Sequence, residues 1–217
     1  QAVDIIQSHV PIGEEDERTV LRGYHWKTAA YTFEGPMLSG ALLAGLGDAA
    51  QAAVSRFAAA VGQAYQLHND LLDLTTTARD GCDLVQGKRT PTLLRARLAL
   101  PPASRRALDD RLETIQRAGA SATGGRRAVQ LAEDLRQDLL AGGAADRTQA
   151  AIDQLLADAR AATVDPALPP RFAAATAGLL ASMGATYFAA IPAAEEAAAA
   201  GTESECVATE PPQMVRT

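Results

Sequence analysis

An all-α fold is predicted by three features of the sequence. Ala is abundant, while Val, Ile and Tyr are few and aromatics make up only 4% of the chain, a composition that favours helices over strands. No stretch alternates polar and apolar residues long enough to propose a sheet. One segment, from Ala49 to Leu74, keeps a helical period over about seven turns.

At 217 residues the chain can bury a sizeable core as one domain. A net charge of −6 and a pI near 5.1 argue against a nucleic-acid surface. They leave room for a small anionic ligand, for which a few lysines suffice. Two cysteines, Cys82 and Cys206, make no disulfide framework, so a reduced, cytoplasmic setting is expected. The N-terminal QAVDIIQSHV lacks the basic and apolar regions of a signal peptide, and no segment is apolar enough to span a bilayer. The chain opens on Gln1 rather than Met and reads from its first residues as the middle of something. A processed start or a portion of a longer chain is expected.

In order, residues 1–8 read as the end of a helix closed by the turn Pro11–Gly13. Asp16 and Thr19 are candidate caps for a helix running to Trp26, with acids from Glu14 to Glu17 near its positive end. From Lys27 an apolar helix follows, and Gly35-Pro36 should kink or break it. Gly40, Ala41, Ala44 and Gly45 suit close packing, and Gly47-Asp48 stops that helix and caps the long one. The polar run after Asp73 reads as a loop up to Pro91, which opens a short helix ending near Leu98. Helices over 104–118, with Ser104 as cap, 125–141, 147–162 and 172–187 follow, separated by glycine pairs and prolines. The sequence divides into a helical domain, 1–191, and an Ala-rich segment with a disordered tail, 192–217.

The long helix carries QLHNDLLD, residues 66–73. On a helical projection Gly62, Gln66, Asn69, Asp70 and Asp73 share a stripe about 100° wide, while Val54, Phe57, Ala58, Val61, Tyr65, His68 and Leu72 form the packing arc. Carboxylates on one face repel unless a cation or solvent separates them. For an isolated DxxD, a solvated face is the ordinary explanation. Here the acids accompany Lys27-Thr28 upstream and Lys88 in a glycine-bearing loop downstream. Each lysine alone reads as a surface residue. Together, two acids, two lysines and an amide suit a magnesium-bound polyphosphate, because Mg²⁺ takes one or two carboxylates and leaves phosphate oxygens to complete its shell. His68 reads as packed, Cys82 has no base partner, and Arg126-Arg127 reads as a solvated face.

The ordered set KTA at 27–29, Pro36, GALLAG at 40–45, the glutamine–acid motif at 66–73 and GKRT at 87–90 resembles trans-isoprenyl diphosphate synthases, the polyprenyl synthetase family. Gln1 and Asp4 are similar to a GQxxD helix preceding KTA in that family. The resemblance covers residues 1–100 by motif and 100–190 by pattern. It implies an isoprenoid-synthase-type helical bundle around a central cavity, with N-terminal helices missing from this chain. It also implies Mg²⁺-dependent condensation of an allylic diphosphate with isopentenyl diphosphate, making a longer isoprenyl diphosphate. By position Asp70 and Asp73, with Asn69, resemble the second aspartate-rich motif and its metal ligands. Lys27, Gln66 and Lys88 resemble catalytic positions, and Lys27, Thr28, Gln66 and Lys88 the diphosphate-binding ones, with Arg79 standing in for a loop lysine. The family also implies a homodimer or a partner prenyl synthase subunit.

The chain departs from the family where Asn69 replaces the first acid of the motif, which removes one charge, and nothing matches the first aspartate-rich motif. Asn69→Asp is accordingly expected to strengthen magnesium-dependent binding. A non-catalytic or partner-dependent subunit that binds a diphosphate or a homologous subunit is the alternative. A class I terpene cyclase is a second one, which KTA and GKRT argue against.

Overall fold

The computed structural model describes residues 17–78, 82–121 and 123–188. These contain helices and connecting turns and no strand, so the all-α expectation holds. The readings of residues 1–16, including Asp16 as a cap, of the tail over 192–217, of the domain boundary at 191, and of Arg79 and Cys206 fall outside the described residues.

The first described helix, α1 (Glu17–Tyr24), runs without a break into a π-helical segment (His25–Glu34) and then α2 (Gly35–Leu43). The break expected at Gly35-Pro36 does not occur. The Gly35 N–H reaches back to the Ala30 carbonyl, five residues upstream, and Pro36 sits in the first turn of α2, where its missing N–H costs little. The helix rewinds instead of stopping. The small residues of α2 pack less than expected. Ala41 is buried, but Gly40, Ala44 and Gly45 are exposed.

Helix α3 (Asp48–Thr75) is the axis of the molecule, and Gly47 rather than Asp48 is its N-cap. It packs chiefly against α8 (Ala144–Thr163) and the π-helical segment. Most of its circumference is buried, including Phe57, Val61, Leu67 and Leu71, and a fully buried Phe or Leu contributes about 1.5–3 kcal/mol. Of the expected packing arc, Val54, Phe57, Ala58, Val61 and His68 are buried and Tyr65 is half-buried, but Leu72 is 41% exposed. The stripe opposite is not a free face either, since Gly62 and Asp70 are buried as well.

After α3 the chain forms a single-turn helix, α4 (Asp83–Gln86), where a loop was expected. Helix α5 (Pro91–Leu98) begins at the expected proline, capped by the Thr90 hydroxyl, which accepts from the Leu93 N–H at 3.2 Å. Helix α6 (Pro102–Gly119) starts two residues before Ser104, behind Pro101. Helices α7 (Gly125–Ala141), α8 and α9 (Pro170–Thr186) complete the bundle.

Two large apolar clusters meet along α3. One joins Val20 and Tyr24 of α1 to Phe57, Val61 and Leu71 of α3, Ile152 and Leu156 of α8, and Met183 of α9. The other joins Leu74 at the end of α3 to Leu84, Leu93, Leu112, Ile115, Leu135 and Leu139. The acidic turn of α3 lies at the seam between them. Among the described residues, no helix is long and apolar enough to cross a membrane.

Candidate functional site

Three successive turns of the α3 stripe face the helix that carries KTA. At Gly62 the two backbones approach so closely that a Cβ there would lie 2.5 Å from the Ala29 Cβ and 2.6 Å from its Cα. One turn on, the Thr28 hydroxyl donates to Gln66 Oε1 at 3.0 Å. One turn further, the Tyr24 phenol donates to Asp70 Oδ2 at 2.6 Å, and Gln66 Nε2 donates to Asp70 Oδ1 at 3.5 Å. Glycine permits the contact, and the two polar rungs then fix which side chains meet. The stripe is therefore a helix–helix seam whose lower end opens into cavities.

Two small cavities adjoin that end. One, of about 50 Å³, is lined by Tyr24, Lys27, Gln66, Asp70, Asp83 and Lys88, with Arg89 and Thr90. The other, of about 20 Å³, has Asp70, Asp73, Asp83, Lys88 and Arg136 among its walls, together with Cys82 and Leu84. Asp70, Asp83 and Lys88 line both. Lys27, from the KTA helix, and Lys88, from the GKRT loop, thus line one cavity with Asp70.

The loop side is set by backbone geometry. Gly87 closes α4 at φ +68°, and the Lys88 N–H returns to the Asp83 carbonyl at 2.9 Å, a Schellman-type close. That folds Lys88 over its own helix, with Nζ 2.6 Å from Asp83 Oδ1. The Asp83 N–H in turn donates to Asp73 Oδ2 at 2.8 Å. The guanidinium of Arg89, buried, donates to the Gly87 carbonyl at 2.9 Å.

Burial pushes the Asp70 carboxyl up to about 8, and the charge of Asp83 adds to this. The hydrogen bonds from Tyr24 and Gln66 and the charge of Lys27 oppose it. Such a carboxyl holds its proton at neutral pH unless positive charge is brought beside it. Among the described residues, no group of three or more His, Cys, Asp or Glu is arranged to hold a metal ion. Asp70 and Asp73, one turn apart on a shared wall, nevertheless supply the one or two carboxylates that Mg²⁺ ordinarily takes from protein. A divalent cation there would favour the ionised form of Asp70, so the donor set fits a hard, water-bearing cation.

Of the residues singled out from sequence, Lys27, Thr28, Gln66, Asp70, Asp73 and Lys88 are brought together. Asn69 is half-buried and lines neither cavity. His68 is packed, its ring edge-on to Phe188 at 5.6 Å, and burial lowers its pKa. Cys82 is buried, and Arg126 and Arg127 are exposed. Sequence reasoning missed Tyr24, Asp83 and Arg136. Tyr24 had a signal, lying three residues before Lys27 on the same helix, whereas the others depend on tertiary contacts.

The model of the polyprenyl synthetase family matches residues 1–123. No curated protein matches the chain in sequence. Among solved structures, the chain is similar to a decaprenyl diphosphate synthase from Rhodobacter capsulatus, with a TM-score of 0.63 and 20% identity, covering 86% of this chain and 55% of that one. It is similar also to a geranylgeranyl pyrophosphate synthase from Corynebacterium glutamicum complexed with isoprenyl diphosphate and magnesium, with a TM-score of 0.62 and 25% identity, covering 86% and 50%. A polyprenyl synthase from Roseobacter denitrificans gives 0.56 and 23%, covering 83% and 57%. The chain spans about half the length of each of these structures.

Proposed function

The chain belongs to the polyprenyl synthetase family, and from that premise we propose that its cavities are the diphosphate-gripping side of an isoprenyl diphosphate synthase site. The reaction would be condensation of an allylic diphosphate with isopentenyl diphosphate to a longer isoprenyl diphosphate. The observation that carries this reading is the convergence of Lys27, Lys88 and Asp70 on one cavity, with Asp73 on the adjoining one.

Asp70 and Asp73 would hold Mg²⁺, which when bound neutralises diphosphate oxygens and so stabilises the leaving group. Lys27 and Lys88 would receive the remaining phosphate charge as point charges. Thr28 holds the Gln66 side chain by its oxygen, leaving the amide NH₂ directed to Asp70. Tyr24 holds Asp70 from the other side. These bonds would hold the Asp70 carboxyl in place for the cation, so that little reorganisation is needed as charge develops on the departing diphosphate. A homodimeric or partnered assembly belongs to the same proposal.

A partner-dependent subunit is the second reading. The cavities hold about 20 and 50 Å³, space for one or two waters rather than a prenyl chain. The two readings separate in a condensation assay with Mg²⁺, labelled isopentenyl diphosphate and farnesyl diphosphate. Turnover by the chain alone supports the first. Turnover only after mixing with a full-length homologue, above that homologue's own rate, supports the second. No turnover in either arm counts against both.

A further inference from the structure

Helix α7 lies beyond residues 1–123, yet it reaches the end of the acidic helix. The last carbonyls of any α-helix lack intrahelical partners, and an unsupported last turn frays. In α3 that turn carries Asp73. The Arg136 guanidinium donates through one terminal nitrogen to the Leu74 carbonyl at 3.3 Å, next to Asp73 in sequence. Its other two nitrogens donate to Glu133, Nε to Oε2 at 2.8 Å and the second terminal nitrogen to Oε1 at 2.6 Å. Glu133 Oε2 also accepts the Ala78 backbone N–H at 2.8 Å, and Gln137 donates to Oε1 at 2.9 Å. Arg136 itself lines the cavity shared by Asp70 and Asp73.

We propose that Glu133 and Arg136 are positioning residues for the diphosphate site, a brace on α7 that fixes the end of α3 and the chain leaving it, from Leu74 to Ala78. The inference rests on the functional reading above. Both oxygens of Glu133 and all three guanidinium nitrogens of Arg136 are engaged within the brace, which takes three of the five N–H donors of Arg136. What the brace holds is the end of α3 at Leu74 and the backbone of Ala78, and the Asp83–Lys88 turn is tied to the same end of α3 because its Asp83 N–H is bonded to Asp73. The interaction is compact, the pair being only three residues apart on one helix and 12% and 17% exposed. The hydrogen bonds from Arg136 hold the Glu133 carboxyl down to about 2, so the brace is charged at all working pH values.

The test uses the full chain with Arg136→Lys, Arg136→Gln and Glu133→Gln, and the charge exchange Glu133→Arg/Arg136→Glu. Two readouts are taken, the affinity for inorganic pyrophosphate with Mg²⁺ by calorimetry and hydrogen exchange at the Ala78 and Asp83 amides. Arg136→Lys keeps the charge but replaces the three-nitrogen fork that reaches both Glu133 and Leu74 with a single ammonium. It is expected to weaken pyrophosphate binding about tenfold and to speed exchange at both amides about tenfold, with Ile152 and Leu156 unchanged. The exchanged pair restores an ion pair on α7 but offers no donor to Leu74 and no acceptor to Ala78, so its affinity is expected to stay low. Wild-type affinity in the exchanged pair, or unaltered exchange at Ala78 and Asp83 in all three single variants, overturns the brace. If the unmutated chain fails to bind pyrophosphate, the functional reading fails and amide exchange alone decides the brace.

Discussion

The phenol of Tyr24 donates a hydrogen bond of 2.6 Å to Asp70 Oδ2, joining residues 46 positions apart inside the bundle. Because burial keeps Asp70 protonated near neutral pH, this is a bond between two neutral groups. Tyr24→Phe should therefore cost only about 1 kcal/mol in urea unfolding at pH 7. Ionisation of Asp70 should become harder, seen as a carboxyl titrating still further above its ordinary range by NMR. A carboxyl whose titration does not move in Tyr24→Phe would contradict the contact.

Asp70 also sets a pH dependence whose sign follows from linkage. Its folded value, about 8, lies above the unfolded 3.8. Between those values the folded state binds more protons than the unfolded one, so stability falls as pH rises. The contribution is fully present below 3.8 and lost as pH climbs through 8. Asp70→Asn should remove this slope and raise stability at pH 7 by up to about 4 kcal/mol. Mg²⁺ should raise the melting temperature of the unmutated chain at pH 7 and leave that of Asp70→Asn unchanged. A less stable Asp70→Asn would argue that the carboxyl is ionised without a cation.

At the upper rung, Gly62→Ala places a methyl 2.5 Å from the Ala29 Cβ and against backbone. Overpacking of that kind costs about 1–3 kcal/mol. Gly178→Ala provides the contrast. It sits in an exposed position of α9 with open space around it, and should stabilise by about 0.5–1 kcal/mol. Thermal melts of the two variants should shift in opposite directions. Equal shifts would mean that the seam between α3 and the KTA helix is looser than the 2.5 Å approach at Gly62 implies.

Asn69→Asp separates motif from geometry. The family pattern places an acid at this position, and the sequence expectation was a gain in magnesium-dependent affinity. Because Asn69 lines neither cavity, the expected change is less than about twofold, well under the 1.4 kcal/mol of a tenfold effect. A tenfold gain by calorimetry would restore Asn69 to the ligand set.

Helix placement was legible where single residues enforce it. Pro91 at the first turn of α5 and Gly125 opening α7 sit where the structure begins those helices, because proline and glycine act on their own backbone. The π-helical winding of His25–Glu34 leaves no comparable mark. A shift from four- to five-residue hydrogen bonding alters which side chains align without demanding any residue type. The carboxylates and lysines of the site were legible as an ordered set, but not their supports. Tyr24, Asp83 and Arg136 are ordinary residues locally and acquire their place only when α1, α4 and α7 close on the end of α3. Gly62 shows the reverse case, since a glycine on a polar stripe reads as part of that face, yet its backbone lies close against Ala29.

Calorimetric titration of the chain with inorganic pyrophosphate, with and without Mg²⁺, is the most direct test of a cation-assisted diphosphate grip. Binding should appear with Mg²⁺, vanish in EDTA, vanish in Asp70→Ala, and weaken about tenfold in both Lys27→Met and Lys88→Met. Binding of equal strength in EDTA, or affinity indifferent to Asp70→Ala, would contradict it.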